Sequence, residues 1–316
     1  MEVLNRTHHD DQAERLKVVT GLLAPEASLP PKYFYDELGC ALYGAICQLP
    51  EYYPTRTELA IFQSRRAEIA DAMGAGRQFV DLGAGDCCKA ESWLPFLSPS
   101  RYVAVDIAGA EIERALARMS LDFPEVDMIG VVTDFSESLD LADVIHAGPV
   151  TFFYPGSSIG NFTPEDALGF LKRIFAMCSE REQSGLLIGV DAKKSNARLQ
   201  AAYDDALGVT AAFNRNVLLH LNRRFGFDFD LNGYRHLGLY NAVLGRIEMH
   251  LESLRDQTVR LAEGAVRIFA KGERIHTENS YKYTAEEFEA LLAVAGFSRI
   301  QRWTDADEQF NVFFAC

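Results

Sequence analysis

A chain of 316 residues that is 48% apolar can bury one large core or two smaller ones, so a globular protein of one or two domains is expected. The formal net charge of −14 argues against a nucleic-acid partner, whose binders carry a basic face; Arg223-Arg224 is the most visible basic spot between residues 200 and 245. The start, MEVLNRTHHDD, lacks a basic segment followed by an apolar one, and nowhere do about 18 apolar residues run unbroken, so a cytoplasmic protein without a membrane span is expected.

Six cysteines (Cys40, Cys47, Cys87, Cys88, Cys178, Cys316) lack C-x-x-C pairing, and adjacent Cys87-Cys88 are poorly placed to bridge each other. Reduced thiols fit this usage. The seven histidines show no H-E-x-x-H or similar ligand spacing, so no metal site is expected.

In chain order, the first 60 residues carry PKYFYDELG and LPEYYPTRTE and precede any long apolar run. From residue 79 onward short apolar runs alternate with helical periodicity: FVDL (79–82), YVAVDI (102–107), DMIGVV (127–132), VTFFYPG (150–156) and GLLIGVD (185–191). Runs that are apolar throughout, rather than alternating, belong to strands buried on both faces, hence to a parallel sheet covered by helices. This is the doubly wound α/β pattern.

Residues 192 to about 278 interrupt that scheme with NRNVLLHLNRRFGFDFDLNGYRHLGLYN and the alternating RIEMHLESL and TVRLAEGAVRIFAKG, which together read as an inserted α+β lobe. Helical AEEFEALLAVAGF then closes at Gly296, and RIQRWT (299–304) meets QFNVFFAC (309–316) across the polar DADE turn. Two strands joined by so short a turn pair antiparallel. A parallel sheet finished by an antiparallel last strand is the Rossmann-like topology of class I S-adenosylmethionine-dependent methyltransferases. The division expected is a cofactor-binding domain over 61–191 and 279–316, with 1–60 and 192–278 forming a substrate-binding lobe.

The stretch FVDLGAGDCCKAESWLP holds the cofactor question. Strand, Gly83-Ala84-Gly85, then helix lets backbone approach a ligand at the carboxyl edge of the sheet, although the glycines also suit a plain tight turn. A dinucleotide site wants G-x-G-x-x-G, and the third glycine position is Cys88, which weakens but does not remove a nicotinamide oxidoreductase as an alternative. Asp106, 21 residues after Gly85, is placed to accept hydrogen bonds from both ribose hydroxyls, a role that serves NAD and S-adenosylmethionine alike. Asp134 and Phe135 follow the third run and suit an adenine edge, while Lys89 suits a cofactor carboxylate. Taken singly, Lys89 and Asp134 also read as surface charges.

With these residues in view the chain resembles the L-histidine Nα-methyltransferases of ergothioneine biosynthesis, which form hercynine from histidine and S-adenosyl-L-methionine. The resemblance is carried by PKYFYDELG, LPEYYPTRTE, YVAVDI, YPGSSIGNFTPEDALGFL and ENSYKYT, in that order and at similar spacing from about residue 20 on. It implies cofactor contacts from Gly83, Lys89, Asp106, Asp134 and Phe135, and histidine contacts from Tyr53, Asn161, Tyr203, Glu278 and Ser280, with Met249 lining the site. The loop GAGDCCKA departs from the Ser/Thr-rich sequence of many relatives.

The chemistry of the implied set suits the substrate. Asn161 and Tyr203 supply donors for a carboxylate, and Glu278 with Ser280 supply acceptors for an imidazole, alternate residues of a strand projecting to one side. Tyr53 is the residue expected to orient the amine, while Tyr52, Tyr53 and Phe213 offer aromatic faces to a methylated cation. Bland roles stand beside each: Tyr53 at an interface, Tyr203 on an amphipathic helix, Asn161 as a turn or cap residue before TPED, Glu278 as a solvated carboxylate, Met249 as core filler. His250 and His276 are read as structural. Alternatives are a methyltransferase for another amino acid or small amine, an NAD-dependent oxidoreductase, and a catalytically dead scaffold; a monomer is expected.

Overall fold

The computed structural model describes residues 2–7, 11–136 and 139–316. The chain separates into two compact units, Met1–Thr7, Pro54–Lys193 and Lys282–Cys316 forming the first and His8–Tyr53 with Lys194–Tyr281 the second. Residues 54–60 therefore group with the sheet rather than with the N-terminal segment. At the other boundary, 279–281 belong to the second unit because they continue its strand Arg274–Tyr281.

The first unit is built on an eight-stranded sheet in the order Glu2–Asn5, Asp127–Val132, Arg101–Asp106, Gln78–Leu82, Val150–Tyr154, Gly185–Asp191, Phe310–Ala315, Ile300–Thr304. The first six pair in parallel; Phe310–Ala315 runs antiparallel to both its neighbours. Four strands, Gln78–Leu82, Val150–Tyr154, Gly185–Asp191 and Phe310–Ala315, are buried at every position, which is why their sequences are mostly apolar without alternation. The helix Gly109–Asp122 buries Ile112, Ala115, Leu116 and Met119, the spacing of one face at 3.6 residues per turn. Thr284 and Glu287 form a reciprocal cap that starts the helix Ala285–Ala295.

The edge strand Glu2–Asn5 lies in the stretch that sequence reading grouped with the substrate lobe. Four residues are too few to carry a periodic signal, and the pairing depends on a distant glycine: Val3 lies opposite Gly130, where a Cβ would stand 2.6 Å from Ile112 and 3.2 Å from Val3.

The second unit holds a four-stranded sheet ordered Ala27–Ser28, Arg274–Tyr281, Arg246–Ser253, Tyr234–Asn241, and a two-stranded ribbon of Gln257–Arg260 with Val266–Phe269. The 17-residue helix Val209–Phe225 buries Phe213, Val217, Leu218 and Leu221 together with the polar Asn214 and Asn216, and stops at Gly226 in the left-handed conformation. Its core joins Tyr33, Phe34, Tyr52, Tyr53, Phe213 and Met249 in one cluster. No helix among the described residues is long and apolar enough to cross a membrane.

Candidate active site

In the first unit the strand Gln78–Leu82 ends in a loop whose backbone favours glycine: φ is 71° at Gly83 and 53° at Gly85. The N–H groups of Gly83 and Ala84 both donate to the Val105 carbonyl, at 2.8 and 3.1 Å, folding the loop over the neighbouring strand. Asp106 ends that strand. Its Oδ2 accepts from the Gly85 N–H and its Oδ1 from the Ala108 N–H, each at 2.9 Å. Burial raises its pKa, opposed by those N–H groups. The Ile107 N–H adds to them, and a carboxylate has about four lone-pair sites, so part of its capacity remains for ligand hydroxyls.

Around this carboxylate the other expected groups arrive from successive strand ends. The Phe135 ring meets Tyr154 edge-on with centroids 5.8 Å apart, and a Cβ on Gly83 would stand 3.8 Å from its tip. Asp134 accepts from the Ser136 backbone N–H at 3.2 Å and from the Ser136 hydroxyl. Lys89 makes a 2.7 Å ion pair with Glu58, whose other oxygen accepts from the Gly156 N–H at 2.7 Å. Glu58 is 1% exposed and packs so closely on the strand Gly185–Asp191 that a Cβ at Gly189 would meet it at 2.0 Å. Sequence reading missed Glu58, although it closes the PEYYPTRTE motif; a lone glutamate there carries no sign of its buried partners.

Asn161 ends the short 3₁₀ turn Ser158–Asn161 in the same unit. The cap of the following helix is Thr163, which accepts from Asp166 N at 3.2 Å, so capping does not account for Asn161.

The remaining expected groups lie in the second unit. Tyr203 ends the helix Asn196–Tyr203, and its phenol shares a 2.8 Å hydrogen bond with the Ser280 hydroxyl. Glu278 pairs with Met249, and Ser280 with Ile247, across the antiparallel strands Arg274–Tyr281 and Arg246–Ser253. Met249 and Ile247 are buried, so Glu278 and Ser280 share the inward face, consistent with their own burial at 8% and 4% exposure. Tyr53 is buried, and its hydroxyl accepts from Lys194 Nζ at 2.7 Å.

The aromatic faces offered to a cation require a correction. Lys194 and Arg198 already stand 4.3 and 4.8 Å from the Tyr53 ring centroid, and Phe213 stacks on Phe34 at 4.6 Å. Tyr52 meets Tyr203 edge-on at 6.1 Å and Tyr43 edge-on at 6.4 Å.

Residues 13–316 match the family described as "Histidine-specific methyltransferase, SAM-dependent". The chain belongs to this family. This methyltransferase is 39% identical to a histidine N-alpha-methyltransferase of Mycolicibacterium smegmatis over all of its own length and 99% of the relative's. It is 38% identical to the protein of the same name from Mycobacterium tuberculosis, over 96% of this chain and 94% of that one. It is also 31% identical to ergothioneine biosynthesis protein 1 of Neurospora crassa, 92% of the methyltransferase aligning with 34% of that longer protein. The glycine loop suits the family's cofactor better than a dinucleotide. The helix that follows, Cys88–Glu91, is a single turn with little dipole to offer a pyrophosphate, whereas the doubly braced Asp106 suits a ribose.

Proposed function

We propose that this methyltransferase moves methyl groups from S-adenosylmethionine to the α-amine of L-histidine, in three successive transfers that yield hercynine for ergothioneine biosynthesis. The observation that carries the reading to histidine is the inward pairing of Glu278 and Ser280 with Tyr203 bonded beside them, a set of acceptors and donors suited to an imidazole-bearing amino acid.

On this reading Gly83, Asp106, Asp134 and Phe135 hold the nucleoside part of the cofactor, Asp106 accepting from the ribose hydroxyls. Lys89, kept beside Gly156 by Glu58, has further N–H groups to offer a carboxylate. When bound, the cofactor supplies an electrophilic sulfonium methyl. Asn161 and Tyr203 donate to the substrate carboxylate, Glu278 accepts from an imidazole N–H, Ser280 meets the ring's other polar edge, and Met249 fills the apolar side. A site that must bond a polar ring rejects apolar side chains strongly, since its own groups would be left unpaired.

Methyl transfer needs a neutral amine held in line, and an α-amine with a pKa near about 8 is already partly neutral at physiological pH. Tyr53 orients that amine by accepting its N–H. Its oxygen already accepts from Lys194, and with Arg198 close to the ring the local positive field disfavours the ammonium form. No separate strong base is required. Six free cysteines and the net charge of −14 support a reducing, cytoplasmic setting without nucleic acid, and action as a monomer belongs to the same reading.

The deciding experiment is mass spectrometry of the protein incubated with S-adenosylmethionine and a pool of the twenty amino acids. A product heavier than histidine by three methylene equivalents is expected; transfer to a different amine would overturn the substrate while leaving the cofactor.

A further inference from the structure

The strand Arg274–Tyr281 does not keep a single register. Arg274, Ile275 and His276 pair with Glu252, Leu251 and His250; the pairing then jumps, and Glu278 rather than Thr277 pairs with Met249. Thr277 is the inserted residue of a β-bulge, and a bulge re-aims the side chains that follow it. Were the strand regular, Thr277 would face Met249, and Glu278 would lie opposite Glu248 on the other face. There Glu248 already binds Arg246 and His250, and a second carboxylate directly opposite would be repelled. The inward aim of Glu278 and Ser280 is therefore a product of the bulge.

Buried side chains fix the bulge. The Thr277 hydroxyl proton is shared between Asn214 Oδ1 at 2.8 Å and the Met249 carbonyl at 3.0 Å. Asn214, fully buried on the helix Val209–Phe225, donates through Nδ2 to His236 Nδ1 at 2.8 Å and to the His250 carbonyl at 3.1 Å. His236 Nε2 donates to the Tyr203 carbonyl at 2.7 Å. A carbonyl only accepts, so His236 carries its proton on Nε2 and accepts on Nδ1, the tautomer that Asn214 needs. Burial lowers the pKa of His236, in keeping with a neutral ring. Gly238 lets the strand approach, since a Cβ there would stand 2.6 Å from the same Tyr203 carbonyl. The hydrogen bonds thus run from the bulge to the backbone of Tyr203, and the Tyr203 phenol returns to Ser280.

We propose that Thr277 and Asn214 are positioning residues for the amino-acid substrate: they hold the bulge that turns Glu278 and Ser280 inward and tie it to the Tyr203 backbone. This rests on the histidine site proposed above. Neither residue touches the substrate on this account; both act by aiming groups that do.

The test pairs Thr277→Val, which keeps the shape and removes the hydroxyl, with Thr277→Ser, which restores it. Glu278→Ala serves as the control on the site itself. Steady-state kinetics with histidine, calorimetry with S-adenosylmethionine and thermal melting are measured on each. The expected result is a KM for histidine raised about tenfold in Thr277→Val, the scale of one misaimed hydrogen bond to a charged group, with cofactor affinity unchanged and near wild-type KM in Thr277→Ser. A Thr277→Val protein that melts lower but keeps its KM and its preference for histidine over leucine overturns the proposal, leaving the network a stabilising one. If Glu278→Ala leaves the KM unchanged, the histidine site and the proposal fall together; a raised KM there with none in Thr277→Val overturns the positioning role alone. Should Thr277→Val not fold, Thr277→Ala decides: a KM raised above that of Thr277→Ser supports the role, and equal values overturn it.

Discussion

The first unit offers a ligand the backbone and one strand-end carboxylate, aimed by the positive φ of Gly83 and Gly85, whereas the second offers side chains whose direction depends on one extra residue in a strand. Of the expected cofactor groups, Gly83 follows a strand buried at every position and Asp106 ends one whose four inner positions are buried, so shifting either would disturb a filled sheet. The expected substrate groups sit on a bulged strand supported by a hydrogen-bond circuit through Asn214 and His236. Such a circuit aims several groups at once, and fails as a unit when one member is left unpaired. A cofactor site of this kind is difficult to alter and a substrate site easy to retune.

The largest expected effect lies within the first unit. Lys282 and Asp191 form a 2.9 Å ion pair in which neither side chain is exposed, and Asp191 N–H also donates to Ser157 Oγ at 2.9 Å. Lys282→Met leaves Asp191 buried without its cation and should cost about 3–5 kcal/mol in urea unfolding. Adding Asp191→Leu should recover much of that loss. Equal stability of wild type and Lys282→Met would mean that the surroundings of Asp191 relax to satisfy its carboxylate without Lys282.

Next in size, Asp106→Ala removes the proposed acceptor for two ribose hydroxyls and the brace between Gly85 and Ala108. Cofactor affinity should fall at least about 100-fold by calorimetry, two charged hydrogen bonds at about 1.5–3 kcal/mol each. Unchanged affinity would remove the glycine loop from the site. In the second unit, Glu278→Ala should raise the KM for histidine about 10- to 100-fold while the cofactor Kd stays put. If both constants move together, the division of labour between the units is wrong.

How legible these features are from sequence follows the same contrast. FVDL, VTFFYPG and GLLIGVD announce buried parallel strands because burial on both faces makes most positions apolar, and the structure has strands at Gln78–Leu82, Val150–Tyr154 and Gly185–Asp191. Gly83 and Gly85 are legible because their positive φ favours glycine over other residues. Glu278 and Ser280 read correctly as same-side neighbours from strand alternation, yet the face they share is set by the bulge at Thr277, which alternation does not encode. Glu58, Lys194 and Asn214 were passed over for a related reason. Each takes its meaning from partners 31, 141 and 63 positions away, and a single charged or amide residue gives no sign of them.

A further effect separates the units by the sign of their response to pH. Asp81 lies within the first unit's sheet, accepts from the Tyr102 hydroxyl at 2.9 Å, and is pushed by burial from 3.8 to about 7. The native state therefore binds a proton that the unfolded chain has released, and the Asp81 contribution to stability is full below 3.8 and lost as pH rises through about 7. His236 has the opposite sign. Its pKa lies below the ordinary 6.5, so its contribution is full above 6.5 and is lost as pH falls through the lowered value. Asp81→Asn keeps an acceptor for Tyr102 and removes the titration. Relative to wild type it should gain stability between about pH 4 and 7 in urea unfolding, and amide exchange should locate the gain in the first unit. Parallel stability curves for the two proteins would show that the Asp81 carboxyl does not titrate in that window, leaving His236 as the pH-sensitive member of the pair.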